Sequence, residues 1–439
     1  MKMSHIAFIL SMLSSLAVGA PTEPIIARQT CEAPYQRNDG AYEGHYIVEF
    51  ADGYTLDDHF RFLGGAFAVE GTLDEGYYTS MSGNLLAKVR SDCNVTLVED
   101  NTLGESLKTY DPPDDSGSSV KRGSQAEPGW ALKYLSADSK PASDDVYDYL
   151  DSAGKGVDVY VFDGGITHLD EFKTSDGVDR VVDELDMSDD LSFEDFSNHG
   201  TRVAVAIGGA TCGIARAATL RSVKVTQNFK PNGAVFAAAL EVIVRRHKER
   251  AKEPGFRGSV CNFSLDLYST AAIIKAIKKA NTAAMAMVAS AGNHGYSTKH
   301  FPSSDPHVIS VGAMQEDYKP WNARGSIFSS NYGKNEVAFW APGTGLPLFT
   351  NKGAPTTGTA GTSFASGYVA GIFALFYGNE KLNWAEVNVR ASWNADEYMD
   401  FSGGTDWKGS LNRVANTGYR KGQKQNPKVP YTGAPTSSS

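Results

Sequence analysis

Four polar residues stand where apolar segments begin or end. Asp163 ends the apolar stretch VDVYVF, and Asn293 ends AMVASAG. His199 begins one apolar run, and Ser363 begins another. Because ligand sites in parallel sheets lie at the carboxyl ends of the strands, we expect these side chains to converge.

The chemistry predicted for this set is nucleophilic hydrolysis. Ser363 would attack a carbonyl, His199 would take its proton as general base, and Asp163 would orient the imidazole. Taken singly, each residue has a structural explanation as a turn residue, a helix cap or a buried histidine. The chain order Asp, His, Ser is that of subtilisin and differs from that of chymotrypsin or the α/β-hydrolases. A G-x-S-x-G elbow is excluded because Ala365 stands two residues after Ser363.

Residues 129–421 alternate between apolar strands and helices, which predicts an α/β fold with a parallel central sheet and helices on both faces. Residues 45–110 follow the order β-α-β-α-β, with room for another strand near 66–71, and predict a small ferredoxin-like α+β unit. Residues 111–128 contain almost no apolar side chains and are interpreted as a linker. The Pro- and Ser-rich tail, 422–439, is predicted to be disordered.

The first 20 residues combine a lysine, an apolar stretch and small residues before Ala20, which predicts a secretory signal peptide followed by a segment at 21–44. A secreted, extracellular protein is therefore expected. The linker carries a dibasic pair, Lys121-Arg122, which is either a processing site or two solvated charges. The formal net charge of −10 argues against nucleic acid or an anionic membrane as a partner.

The chain has four cysteines, and in an oxidising compartment an even number permits two disulfides. Three pairings are open from sequence alone. Because the cysteines fall in two separate segments, we favour Cys31–Cys93 and Cys212–Cys261. No CxxC or HExxH motif supports a zinc site.

The whole precursor resembles secreted subtilisin-like serine proteases of the proteinase K type, most closely the fungal ones. The resemblance rests on four segments in the family's order: VYVFDGGI, NHGTRVA, ASAGN and GTSFASGYVAG. Residues 45–110 resemble the family's inhibitory propeptide through YIVEF, LLAKVRSD and VTLVED. The resemblance implies a monomeric serine endopeptidase, made as a zymogen, that acts on peptide or protein substrates and is inhibited by its own propeptide.

The resemblance also implies roles for further residues. Asn293 would donate to the oxyanion together with the Ser363 backbone N–H. The substrate backbone would pair with a segment near 228–233 and with an edge on the other side of the cleft. The residues implied for that edge and for the specificity pocket are Ser264, Leu265, Asp266, Ala291 and Gly292.

Several positions depart from the family pattern, and they favour an alternative in which the chain is a weakened or inactive protease-like scaffold that binds peptides or a partner protein. Those in and near the cleft are Gly164, Arg202, Val205 and Asp266-Leu267. Ala338 stands where a calcium-binding aspartate is expected, so we expect no cofactor. A metal site built from His294, His300 and His307 is not expected either, because no carboxylate lies at ligand spacing.

Overall fold

The protein is described by a computed structural model. The residues that it describes are 31–104, 128–136, 147, 152–188, 192–227, 230–297, 300–322, 328–333, 336–402, 407 and 410–418. The predicted signal peptide, the Lys121-Arg122 pair and the predicted tail lie outside these ranges, as does nearly all of the linker. None of the described helices has the length and apolar character needed to cross a membrane.

The N-terminal unit is a five-stranded sheet with two helices. Its elements are β1 (Tyr35–Gln36), β2 (Ala41–Phe50), α1 (Leu56–Leu63), β3 (Gly71–Leu73), β4 (Gly76–Ser80), α2 (Gly83–Arg90) and β5 (Val95–Thr102). The strand order is β1-β5-β2-β4-β3, so β2 to β5 have the ferredoxin-like arrangement. Ser82 caps α2 by accepting a hydrogen bond from the Leu85 N–H.

The second unit contains the long helices and the parallel strands. Its elements up to the middle of the sheet are α3 (Gly129–Leu135), β6 (Val157–Asp163), a 3₁₀ turn (Asp170–Phe172), β7 (Val181–Asp186), α4 (His199–Gly208), β8 (Thr219–Lys224), β9 (Thr226–Gln227), β10 (Lys230–Pro231), α5 (Gly233–Arg250) and β11 (Gly258–Phe263). They are followed by α6 (Ala271–Thr282), β12 (Ala286–Ser290), β13 (Ile309–Met314), β14 (Phe339–Pro342), β15 (Leu348–Phe349), β16 (Pro355–Thr356), α7 (Thr362–Asn379) and α8 (Trp384–Asn394).

Seven of these strands form one sheet in the order β14-β13-β12-β11-β6-β8-β7, and every neighbouring pair is parallel. Helices α4 and α7 share one hydrophobic cluster with one face of the sheet, and α5 and α6 share another with the opposite face. Because both faces are covered, the central strands β6, β12 and β13 are buried along their whole length, whereas the edge strand β7 is partly exposed. The predicted α/β architecture is confirmed.

The cysteine prediction is half correct. Cys31 and Cys93 form a disulfide with Cα atoms 5.0 Å apart, which links the start of the described N-terminal unit to the turn between α2 and β5. The proposed Cys212–Cys261 disulfide is wrong, because both thiols are free and buried. Cys212 packs in the cluster of α4 and α7, whereas Cys261 on β11 packs in that of α5 and α6. The sheet therefore separates them.

The N-terminal unit docks its sheet against the starts of α5 and α6. The Glu99 carboxylate accepts hydrogen bonds from the N–H groups of Ala271 and Ala272 at 2.9 and 3.0 Å. The Asn101 side-chain oxygen accepts one from the Ala234 N–H at 3.0 Å. The first N–H groups of a helix have no backbone partner within it, so the docked strand supplies acceptors at both helix starts, and at α5 it adds to the N-cap Asn232.

Candidate active site

Asp163 and His199 are joined directly. Asp163 is the last residue of β6, and His199 is the first residue of α4. The Nδ1 atom of His199 lies 2.8 and 3.0 Å from the two carboxylate oxygens of Asp163, and both side chains are buried. The Gly164 N–H donates to the same carboxylate at 2.7 Å. The carboxylate therefore fixes which nitrogen of the ring faces away from it.

Two opposing effects act on the pKa of His199. Burial alone lowers it, because a charged ring loses solvation. The adjacent Asp163 carboxylate, with a further contribution from Asp195, favours the charged ring, so the net pKa is raised above its usual value. The ring is thus a stronger base than an ordinary histidine.

A hydrogen-bond network that the sequence analysis did not identify holds the start of α4. The fully buried Asp195 carboxylate accepts hydrogen bonds from the Thr201 N–H at 2.8 Å and from the Ser197 N–H and hydroxyl at 3.0 and 2.6 Å. The Ser197 oxygen in turn accepts from the His199 N–H at 3.1 Å. An acidic residue four positions before a helical histidine was the available signal, since carboxylates satisfy helix N-termini.

Gly200 allows the ring to approach the acid. A Cβ atom at this position would lie 2.2 Å from the Gly165 carbonyl oxygen and 2.9 Å from the Asp163 Cβ. Both contacts are closer than real side chains permit, and the nearer one is with backbone. A side chain here would therefore separate α4 from the end of β6.

Ser363 lies at the start of α7, next to the histidine. It is completely buried, and the ring of His199 lies against that of Phe364 with centroids 5.8 Å apart. Among the described residues, neither the Ser363 Oγ nor the His199 Nε2 has a hydrogen-bond partner. The two polar atoms that the chemistry would use are thus not engaged elsewhere, and such contacts often tighten only on substrate binding.

Asn293 is held by the residue before Ser363. Its side-chain oxygen accepts hydrogen bonds from the Thr362 N–H at 2.9 Å and from the Thr362 hydroxyl at 2.7 Å. The Gly292 N–H donates to the same hydroxyl at 3.2 Å. Thr362 therefore ties the end of β12 to the start of α7 and sets the orientation of the amide.

The predicted substrate edge lies beside this centre. Ser264 bonds through its hydroxyl to the Ser363 carbonyl at 3.2 Å, and Leu265 is buried. Asp266 is 3.1 Å from the Nδ1 of His300. A Cβ on Gly104, the last described residue of the N-terminal unit, would lie 2.1 Å from the Asp266 carbonyl oxygen. The end of that unit therefore lies directly on the edge.

On the side opposite Asp266, the Gly104 N–H donates to the Pro231 carbonyl at 2.7 Å, and Leu103 forms an antiparallel bridge with Asn232. This part of the 228–233 segment is described, whereas 228–229 is not. Leu103 and Gly104 are thus held between the two segments expected to bind substrate.

Ala291 and Gly292, the predicted pocket residues, are positioned by Asn331. The Asn331 amide nitrogen donates to the Ala291 carbonyl at 2.8 Å, and its oxygen accepts from the His294 N–H at 3.1 Å. Gly292 has φ +104°, and a Cβ there would lie 2.3 Å from the same amide nitrogen. Asn331 was not predictable from the sequence, because its contacts are 35 to 40 residues away in the chain.

The departures from the family pattern are accommodated within the core. Arg202 is buried, and its guanidinium lies 3.4 Å from the Thr359 hydroxyl. Val205 packs in the cluster shared by α4 and α7. Ala338 immediately precedes β14, and its N–H donates to the Ser310 carbonyl at 2.9 Å. None of these three residues separates Asp163 from His199.

A buried aspartate–histidine pair near a buried serine, at the carboxyl edge of a parallel sheet, is the arrangement expected of an α/β serine hydrolase. The Subtilase family matches residues 154–412. The chain is 32% identical over 362 residues to Subtilisin-like protease 2 of Trichophyton tonsurans, covering 77% of this chain and 81% of that protein. It is 28% identical over 406 residues to a subtilisin-like protease of Coccidioides posadasii, covering 88% and 94%.

Among solved structures, a cold-adapted subtilisin-like serine proteinase matches with 25% identity and a TM-score of 0.55, covering 67% of this chain and 99% of that one. The chain belongs to the subtilase family, has the subtilisin-like fold and is a serine endopeptidase.

Proposed function

We propose that Asp163, His199 and Ser363 act as a catalytic triad that hydrolyses peptide bonds. Ser363 Oγ attacks the scissile carbonyl while His199 Nε2 takes its proton, and the ring then returns that proton to the leaving amine. Asp163 stabilises the imidazolium formed in between. The observation that carries the proposal is the bond from Nδ1 to Asp163, which leaves Nε2 as the ring nitrogen for the serine.

The tetrahedral oxyanion would be stabilised by Asn293 and by the Ser363 backbone N–H. Because Thr362 holds the Asn293 side-chain oxygen, the amide nitrogen is the end that donates. Donors that are already oriented cost little reorganisation when the charge develops. Ser264, Leu265 and Asp266 would bind the extended substrate backbone, and Ala291-Gly292 would line the specificity pocket.

We also propose that the protein is secreted as a zymogen, with the N-terminal unit acting as intramolecular inhibitor and Lys121-Arg122 as a secondary processing site. The path of Leu103 and Gly104 between Pro231 and Asp266 supports the inhibitory role, because a substrate chain would need the same space. The predicted signal peptide and the oxidised Cys31–Cys93 pair support secretion. We propose that a calcium ion is not required at Ala338.

The test is covalent labelling of the processed protein with a fluorophosphonate probe, in parallel with peptide hydrolysis. We expect labelling and hydrolysis to be lost in Ser363→Ala and strongly reduced in His199→Ala. Ser366→Ala, which removes a neighbouring hydroxyl in the same helix, is the matched control and should still be labelled. A folded, unlabelled protein that binds peptides without cutting them would instead support the scaffold alternative.

A further inference from the structure

A second cluster of potential ligands lies beside the cleft. Asp266, His294 and His300 each offer one ligand atom, and these atoms all lie within 4.8 Å of one another. Asp266 follows β11, and the two histidines follow the neighbouring strand β12. The cluster thus occupies the same carboxyl edge of the sheet as the triad.

The carboxylate beside the two histidines is Asp266. It lies 28 positions before His294, so it does not stand at ligand spacing in the sequence. His307, the third histidine considered there, is not part of the cluster and lies 2.9 Å from Asp305 instead. Sequence spacing gave no indication of Asp266, because pairing between β11 and β12 brings these loops together.

An ion pair between Asp266 and a protonated His300 does not account for the arrangement of His294. The rings of His294 and His300 are stacked, with centroids 4.9 Å apart and an interplanar angle of 11°. The His294 Nδ1 is buried and has no hydrogen-bond partner among the described residues.

The backbone holds all three residues in place. The His294 N–H donates to Asn331, the His300 carbonyl accepts from Ser303 and Ser304, and the chain next to Asp266 bonds through Leu267 to Phe301. A cavity of about 850 Å³ opens beside His300 and is also lined by Leu267. The backbone around the cluster is therefore held in place, and His300 borders a cavity.

We propose that Asp266, His294 and His300 bind a divalent transition-metal ion of the Zn²⁺ class. Two imidazoles and a carboxylate suit Zn²⁺, with a fourth position for water. Ligands about 2.1 Å from a tetrahedral ion lie about 3.4 Å from each other. The His300 Nδ1 and the Asp266 carboxylate are already 3.1 Å apart, so small side-chain rotations complete the site.

The bound ion inhibits the protease rather than serving as its cofactor. His294 directly follows Asn293, and the backbone of Asp266 is the edge on which the end of the N-terminal unit lies. An ion held by the Asp266 side chain lies against the substrate edge and hinders binding of the substrate backbone there. This consequence rests on the proposed function, whereas binding of the ion does not.

Binding is tested on the full precursor carrying Ser363→Ala, so that it cannot digest itself. After treatment with EDTA and desalting, ZnCl₂ is titrated at pH 7.5 by calorimetry, and CoCl₂ is followed by its visible absorption. We expect one ion per chain and at least a tenfold weaker affinity in His294→Gln, His300→Gln and Asp266→Asn. His307→Gln is the matched control and should bind as the parent does.

The proposal is overturned if no ion binds, or if the affinity is the same in the His294→Gln/His300→Gln double variant. Thermal unfolding in EDTA shows which variants are folded, and the near-isosteric Asp266→Asn remains decisive should a histidine variant misfold. In the active processed protein, ZnCl₂ should lower kcat/KM reversibly, and His300→Gln should lose the inhibition relative to its own activity in EDTA. If the Ser363→Ala precursor binds zinc but the processed protein with Ser363 intact is inactive in EDTA, the proposed function alone is contradicted.

Discussion

The chemistry of His199 depends on its immediate surroundings. Its buried ring would be a weak base, but the Asp163 carboxylate at 2.8 Å reverses the effect of burial and raises the pKa. The same carboxylate directs the other ring nitrogen away from itself. A single side chain thus sets both the basicity and the orientation of the proposed general base.

The first prediction concerns the pH dependence of kcat/KM. Because the pKa of His199 is raised, the ring keeps its proton to higher pH, and kcat/KM should reach half its maximum above about pH 6.5, the usual value for histidine. Asp163→Asn should move this midpoint to lower pH and reduce kcat by about 10⁴-fold. An unchanged midpoint in Asp163→Asn would show that the carboxylate does not control the ring.

The second prediction concerns Asn293. Replacement by alanine should lower kcat by about 10²–10³-fold with little change in KM, because the amide acts on the transition state. Thr362→Ser keeps the hydroxyl that bonds Asn293, so it is the matched control and should retain most of the rate. Steady-state kinetics on a peptide substrate separate the two constants. A change confined to KM would place Asn293 in substrate binding instead.

At the level of secondary structure, the site requires close approach between the end of β6 and the start of α4. Gly200 permits this approach, and the Asp195 carboxylate accepts a hydrogen bond from the Thr201 N–H in the first turn of the helix. Further along, α4 crosses α7 at small residues: a Cβ on Gly371 would lie 2.7 Å from the Ile214 Cβ and 2.8 Å from the Ile207 carbonyl. The helices that carry the base and the nucleophile are therefore positioned by tight packing.

The third prediction compares two glycines at this junction. Gly200→Ala should destabilise the protein by about 2–3 kcal/mol, because its Cβ would overlap backbone. Gly164→Ala is the matched control: its Cβ would lie 3.1 Å from the Ser197 hydroxyl, a side chain that can yield slightly. Urea unfolding of both variants in the Ser363→Ala precursor measures the difference. Equal stability of the two would contradict the packing argument.

At the level of the whole molecule, the two units meet through opposite charges. Lys279 lies 2.9 Å from Asp74 and 2.8 Å from Glu241, and Arg245 also pairs with Asp74. Lys275 pairs with Glu75 at 2.6 Å. Single exposed pairs contribute little, but a connected set steers docking and is weakened by salt.

The fourth prediction concerns this charged interface. Asp74→Lys should weaken docking of the cleaved N-terminal unit by about tenfold, the equivalent of 1.4 kcal/mol, because like charges then face each other. Size-exclusion chromatography of the cleaved complex at increasing NaCl should show dissociation at lower salt than in the parent. Asp52→Lys changes an exposed position of the same unit and should leave docking unchanged. Equal behaviour of the two variants would show that net charge alone matters.

Local patterns in the sequence determined much of this protein. The apolar stretch VDVYVF that ends at Asp163 coincides with β6, and the apolar run that begins at Ser363 coincides with α7. Ser82, a residue type that favours N-caps, stands directly before α2. These features follow from periodicity and capping, which involve residues a few positions apart. The sequence also indicated Asp163, His199 and Ser363 in this order, since each stands at the beginning or the end of an apolar segment.

Only the tertiary structure decided which strand and helix ends lie next to each other. The sheet order brings Asp266 to His294 and His300, and it separates Cys212 from Cys261 on opposite faces. Both results depend on strand pairing and layer assignment between segments far apart in the chain. Hydrophobic periodicity does not specify which strands pair or which face of the sheet a residue occupies, because packing of the whole core sets both.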